Sequence, residues 1–125
     1  MKIIFEIGLP EIEVPQKDIY TIGRMSKGGE TPANDFVLPI VDKRISRYQC
    51  YIEYEDESYY LYDGCCNDPD YGELAGKPSA FGTFLNGKRV TTTEGLPLQS
   101  GDYIEFLNEV KEGPTYRLRV RYKDE

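Results

Sequence analysis

The sequence contains no histidine and no tryptophan, and only three cysteines and two methionines among its 125 residues. Without histidine, the one side chain whose ordinary pKa lies near neutrality is missing, and most acid–base and nucleophile chemistry at neutral pH goes with it. Carboxylates alone can carry catalysis, but no pair of them stands in a distinctive setting, so no enzyme is expected. Cys65 and Cys66 are adjacent, not spaced as a C-x-x-C chelate, and no histidine completes a site, so no metal is expected. Cys50 lies inside a β-type run and reads as a small apolar core residue. Positive charge is scarce as well: 15 Lys and Arg stand against 22 Asp and Glu, a net charge of −7. Nucleic-acid and membrane-surface binders rely on a basic face, so neither partner is expected. No apolar run approaches the roughly 18 residues of a transmembrane helix. The opening MKIIFEI turns acidic too soon for a signal peptide. The expectation is a cytoplasmic chain forming a single domain over 1–125, whole or cut from a larger protein.

What the sequence does hold is a β pattern. Short runs rich in Ile, Val, Tyr, Phe and Thr recur between Gly, Pro, Asn and Asp. Strands are predicted over 2–7, 18–23, 35–38, 48–54, 58–62, 82–85, 89–92, 103–107 and 115–122. The acidic EDE of 55–57 joins two of them as a hairpin, and Asn86-Gly87 is the strongest two-residue hairpin signal there is. The last run alternates cleanly as Tyr116, Leu118, Val120, Tyr122. No segment of ten or more residues shows a 3.6-residue period. Many short strands with frequent turns predict an all-β sandwich or barrel, with functional residues on the loops at one end. Two loops stand out by length: 24–34 (RMSKGGETPAN), polar and glycine-rich, and 64–80 (GCCNDPDYGELAGKPSA), which lacks a periodic core face. The second is expected to be a flexible surface excursion, or else a partner-specific lip.

Within this pattern a series of short motifs falls in a definite order. Ile22-Gly23-Arg24, Asn34-Asp35-Phe36-Val37-Leu38 and Ile45-Ser46-Arg47 come first. Tyr60-Leu61-Tyr62-Asp63, Gly82-Thr83-Phe84-Leu85-Asn86-Gly87 and Leu98-x-x-Gly101-Asp102-x-Ile104-x-Phe106 follow. Each alone is weak, but six in sequence, spanning 22 to 106, resemble the forkhead-associated (FHA) domain. The resemblance implies a β-sandwich of about eleven strands whose loops, gathered at one end, grip a phosphothreonine peptide. Its partner would be a phosphothreonine-containing protein, a substrate of a Ser/Thr kinase, and the module would have no catalysis and no cofactor.

The residues suit that role chemically. A phosphothreonine brings about −1.5 to −2 charges and three strong acceptor oxygens, and its site needs a guanidinium and a hydroxyl or amide donor held on a rigid scaffold. By the resemblance, Arg24 and Ser46 contact phosphate and Arg47 contacts the peptide backbone or phosphate. Arg44, two before the serine, would favour an acidic residue in the partner three after the phosphothreonine. Ala80 offers its backbone amide to the phosphate. The competing reading of Arg44, Ser46 and Arg47 is a solvated loop whose arginines balance neighbouring carboxylates, worth little.

The chain departs from the family pattern in two places. Gln49 stands where the family has a histidine that braces the loops, a role an amide can fill by hydrogen bonding. Phe81 stands where the family has an asparagine that hydrogen-bonds the peptide main chain. It can instead pack on an apolar partner side chain or cap the core. The alternative function is therefore an FHA-like assembly module that binds its partner independently of phosphate.

Overall fold

The computed structural model describes residues 2–5, 11–24, 34–39, 42–109, 113 and 115–122. These residues form eleven strands: β1 (Lys2–Phe5), β2 (Ile12–Glu13), β3 (Ile19–Arg24), β4 (Phe36–Leu38), β5 (Cys50–Glu55), β6 (Ser58–Asp63), β7 (Thr83–Leu85), β8 (Lys88–Arg89), β9 (Leu96–Pro97), β10 (Tyr103–Phe106) and β11 (Tyr116–Arg121). One sheet has the order β2-β1-β11-β10-β7-β8 and the other β4-β3-β5-β6-β9. Among the described pairings only β3 with β4 is parallel. The expected all-β sandwich is observed.

Alternation builds the core. In β11, Leu118 and Val120 are fully buried while Arg117 and Arg119 between and beside them face solvent. Ile22, Ile52, Leu61, Ile104 and Phe106 meet them from the other strands, and Cys50 is buried among them as the sequence predicts. Each such burial contributes roughly 1.5–3 kcal/mol. The hairpin between β5 and β6 closes on Asp56 and Glu57, both with positive φ (51° and 64°), because Glu55 already pairs with Ser58. Asn86 and Gly87 close β7 and β8 in the same way (φ 51° and 84°). Positive φ at both turn residues matches the right-handed twist of the flanking strands.

Two strands lie outside the sequence prediction. β2 and β9 are two residues each, too short to show a period-two pattern, and β9 contains Pro97 at the edge of its sheet, where a missing N–H is tolerated. The predicted strand at 2–7 and the predicted loop at 24–34 reach into 6–7 and 25–33, which lie outside the described residues.

The register places the functional end. Ile22 of β3 pairs with Cys50 of β5, and Cys50 pairs with Asp63 of β6, so the last residues of β3 and β6 and the first of β5 lie side by side. The connections 39–49 and 64–82 therefore leave from the same end of the sandwich. The second corrects the expectation of a flexible excursion. Cys65 and Cys66 are buried, Pro69–Leu74 forms a short 3-10 helix, and Tyr71 meets Tyr48 edge-on at 5.3 Å. The Cys65 N–H donates to Lys77 O (3.0 Å) and the Gly76 N–H to Cys66 O (3.1 Å), closing the segment on itself. Gly64 makes that closure possible: at φ 72° a Cβ there would lie 2.1 Å from Lys77 O. Buried thiols and backbone bonds, invisible to a search for periodicity, hold the segment in place.

Candidate functional site

The floor of the site is a buried polar network. Gln49 is 1% exposed and ties the 39–49 connection to the 64–82 connection and to β7. Its Oε1 accepts from the Ser46 N–H (2.9 Å), and its Nε2 donates to Gly82 O (2.9 Å) and Thr83 Oγ1 (3.0 Å). The amide thus fills the bracing role expected of it. Below, the 4%-exposed carboxylate of Asp63 accepts from Thr83 Oγ1 (2.7 Å), Ser79 Oγ (2.6 Å) and the Ser79 N–H (3.1 Å). Ser79 Oγ in turn accepts from the Gly82 N–H (3.0 Å). A satisfied network of this kind fixes the backbone above it.

The serine loop is fixed against β3. A Cβ on Gly23 would sit 1.8 Å from Arg47 O, so only glycine admits the loop this close. Asn34 Nδ2 donates to the same carbonyl (2.7 Å). The Arg24 N–H donates to Ser46 O (3.1 Å) and its side-chain Nε to Ile45 O (2.9 Å), which holds the guanidinium by its inner edge and leaves both Nη groups without a bond among the described residues.

Above this floor opens a cleft of about 290 Å³, lined by Arg24, Lys43, Ile45, Ser46, Arg47, Tyr48, Cys65, Leu74, Lys77, Pro78 and Ala80. Among the described residues no carboxylate lines it. Among the described residues Lys17, Arg44, Arg89, Arg117 and Arg121 form ion pairs, whereas Arg24, Lys43, Arg47, Lys77, Lys88 and Arg119 do not. Four of those six line this cleft. In a chain of net charge −7, uncompensated cations are thus concentrated in one place, beside a serine hydroxyl. Burial, with the neighbouring Cys66, pushes the Cys65 thiol up to about 11, so the cleft wall carries no thiolate at neutral pH.

Of the residues singled out in the sequence, the structure brings Arg24, Ser46, Arg47 and Ala80 together in the cleft. The Ala80 N–H, expected to face a phosphate, donates to Ser46 Oγ at 2.8 Å. With its oxygen accepting that bond, the Ser46 hydroxyl keeps its own proton to donate. Arg44 is not in the cleft lining. Its Nε and Nη2 donate to Asp42 Oδ1 (2.9 Å) and Oδ2 (2.6 Å), and its guanidinium lies against Gly113. Those hydrogen bonds, with that from the Arg44 backbone N–H, hold the Asp42 carboxyl down at about 2. Phe81 also lies outside the lining and does not cap the core, being 44% exposed. Lys43 and Lys77 were not among the predicted site residues. Lys43 stands in the same basic run as Ser46, while Lys77 comes from the 64–82 connection, where no pattern signals a wall.

The FHA domain family model matches residues 20–107. No curated protein sequence matches significantly. Among solved structures, the N-terminal FHA domain of S. cerevisiae Rad53p in complex with a phosphothreonine peptide is 22% identical, with a TM-score of 0.67 over 98% of this chain and 93% of that one. The yeast Pml1 splicing factor, solved with its integration into the RES complex, is 19% identical, with a TM-score of 0.67 over 97% and 80%. The MEK1 FHA domain in complex with a HOP1 phosphothreonine peptide is 18% identical, with a TM-score of 0.62 over 98% and 96%. At these identities the likeness is one of fold.

Proposed function

This chain belongs to the FHA domain family, and from that premise we propose that it is a phosphothreonine-peptide recognition module, recruiting substrates of a Ser/Thr kinase in the cytoplasm without catalysis or cofactor. The observation that carries the reading is the cleft itself: four cations and the Ser46 hydroxyl, with no ion pair and no carboxylate in the lining among the described residues. The two Nη groups of Arg24 form a fork suited to two phosphate oxygens. Ser46 supplies a neutral donor, and Arg47 a second guanidinium. Three charge-assisted hydrogen bonds give about 1.5–3 kcal/mol each, against association costs of roughly 4–15 kcal/mol, so contacts to residues flanking the phosphothreonine must add to them.

A degenerate phosphothreonine peptide library and its unphosphorylated twin, titrated against the wild type, Arg24→Ala and Ser46→Ala, test the proposal. Phosphorylated peptides alone should bind, and Arg24→Ala should weaken them about ten- to a hundredfold, from the loss of ~1.5–3 kcal/mol. Equal binding of both libraries, or no loss in the variants, would sink it. One observation favours a second reading, docking independent of phosphate: Phe81 replaces a main-chain anchor and is exposed. That reading predicts equal binding of the two libraries and a loss in Phe81→Ser.

A further inference from the structure

The positive charge lining the cleft exceeds what one phosphothreonine neutralises. Such a group carries about −1.5 to −2 charges, while Arg24, Lys43, Arg47 and Lys77 together carry four positive ones and have no carboxylate partner among the described residues. The two guanidiniums of Arg24 and Arg47 already match the charge of one phosphate. We propose that the ligand bears further negative side chains beside its phosphothreonine and that Lys77 is the residue that selects for them. This deepens, and rests on, the phosphothreonine reading above.

The placement of Lys77 supports a built role. Its carbonyl is held by the Cys65 N–H (3.0 Å), and its own N–H donates to Leu74 O (3.1 Å), so the lysine rises from a fixed backbone. Its wall belongs to the 64–82 connection, whereas Lys43, Ser46 and Arg47 come from the 39–49 connection. The same 64–82 segment carries Asp68, Asp70 and Glu73, all exposed, and none of them lines the cleft. Asp68 is turned back on its own helix, accepting from the Asp70 N–H at 2.9 Å. The segment thus keeps its carboxylates off the lining and lends the cleft a cation. Lys77 is exposed and makes no ion pair among the described residues, so its charge is available to a ligand.

The negative groups it selects are carboxylates of Asp or Glu, or a second phosphate, since both present oxygens to an ammonium. Three degenerate libraries with a fixed phosphothreonine distinguish them: one with neutral flanks, one with flanks rich in Asp and Glu, and one with a second phosphothreonine. Binding by fluorescence polarisation is measured for the wild type, Lys77→Gln and, as a control outside the cleft, Lys88→Gln. Added negative charge should tighten binding by about two- to fivefold per group at low salt. That gain should vanish in Lys77→Gln, persist in Lys88→Gln, and leave neutral-flank phosphopeptides bound by both variants. A gain confined to the doubly phosphorylated library assigns the second phosphate, and an equal gain assigns negative charge in general. Equal affinity across the three libraries, or a gain that survives Lys77→Gln, would overturn the inference while leaving phosphothreonine binding intact. Failure of every phosphopeptide to bind removes the parent reading and this one together.

Discussion

Arg44 and Arg47 flank the same serine, and the fold treats them in opposite ways. Arg44 gives its guanidinium to Asp42 through two hydrogen bonds and lies against Gly113. Its charge is answered within the chain. Arg47 is held by its backbone instead, its carbonyl pinned by Asn34 Nδ2 and pressed against Gly23, while its side chain has no carboxylate partner among the described residues and lines the cleft. Formal charge in a basic run is therefore not the same as charge a ligand can use. Where a carboxylate two residues away closes a fork, the arginine braces the loop. Where backbone contacts do the bracing, the arginine is free to bind.

The largest effect should come from removing what holds both arginines' loop in place. Gln49→Leu leaves the part-buried Ser46 N–H and the buried Gly82 O without their partners, at about 1–3 kcal/mol for each, and should lower unfolding stability by roughly 2–5 kcal/mol in chemical denaturation. Gln49→His, which can accept on one side of the ring and donate on the other, should recover most of that loss. Next comes the direct contrast between the arginines. Arg47→Ala should weaken phosphopeptide binding about five- to tenfold with little change in stability, whereas Arg44→Ala should leave binding within about twofold. Similar losses of affinity in both variants would erase the distinction. The smallest effect concerns the brace itself. Hydrogen bonds from Arg44 hold the Asp42 carboxyl at about 2, below its value of roughly 3.9 in an unfolded chain. A lowered folded-state pKa contributes stability that is present above about pH 4 and is lost as pH falls toward 2. Asp42→Asn should thus be less stable than wild type at pH 5, and the gap should close by pH 2. A gap that stayed constant over that range would show that the pair contributes nothing through its charge.

Much of this was legible in the residues, for reasons that differ from part to part. The sandwich was readable because alternation in runs such as Tyr116–Tyr122 is itself the burial pattern, and because Asn86-Gly87 can adopt the positive φ its hairpin needs. The strands β2 and β9 were not, since two residues carry no period. Arg24, Ser46 and Arg47 could be placed in one site because they sit at strand ends that the sheet register brings together. The fate of Arg44 could not, because ion pairing to Asp42 depends on side-chain direction within a turn. Lys77 was hidden for another reason: its segment is ordered by buried Cys65 and Cys66 and by backbone bonds across the loop, none of which leaves a sequence period. The bond from the Ala80 N–H to Ser46 Oγ was not readable because it spans 34 positions of sequence.

Backbone amide shifts of the 15N-labelled chain, followed while a phosphothreonine peptide library and then its unphosphorylated twin are added, test the central claim most directly. A phosphate cleft at this end of the sandwich predicts shifts confined to the amides around Arg24, Ser46, Arg47, Lys77 and Ala80. They should appear with the phosphorylated library alone and disappear in Arg24→Ala. Shifts that map elsewhere, or that are the same with both libraries, would contradict it.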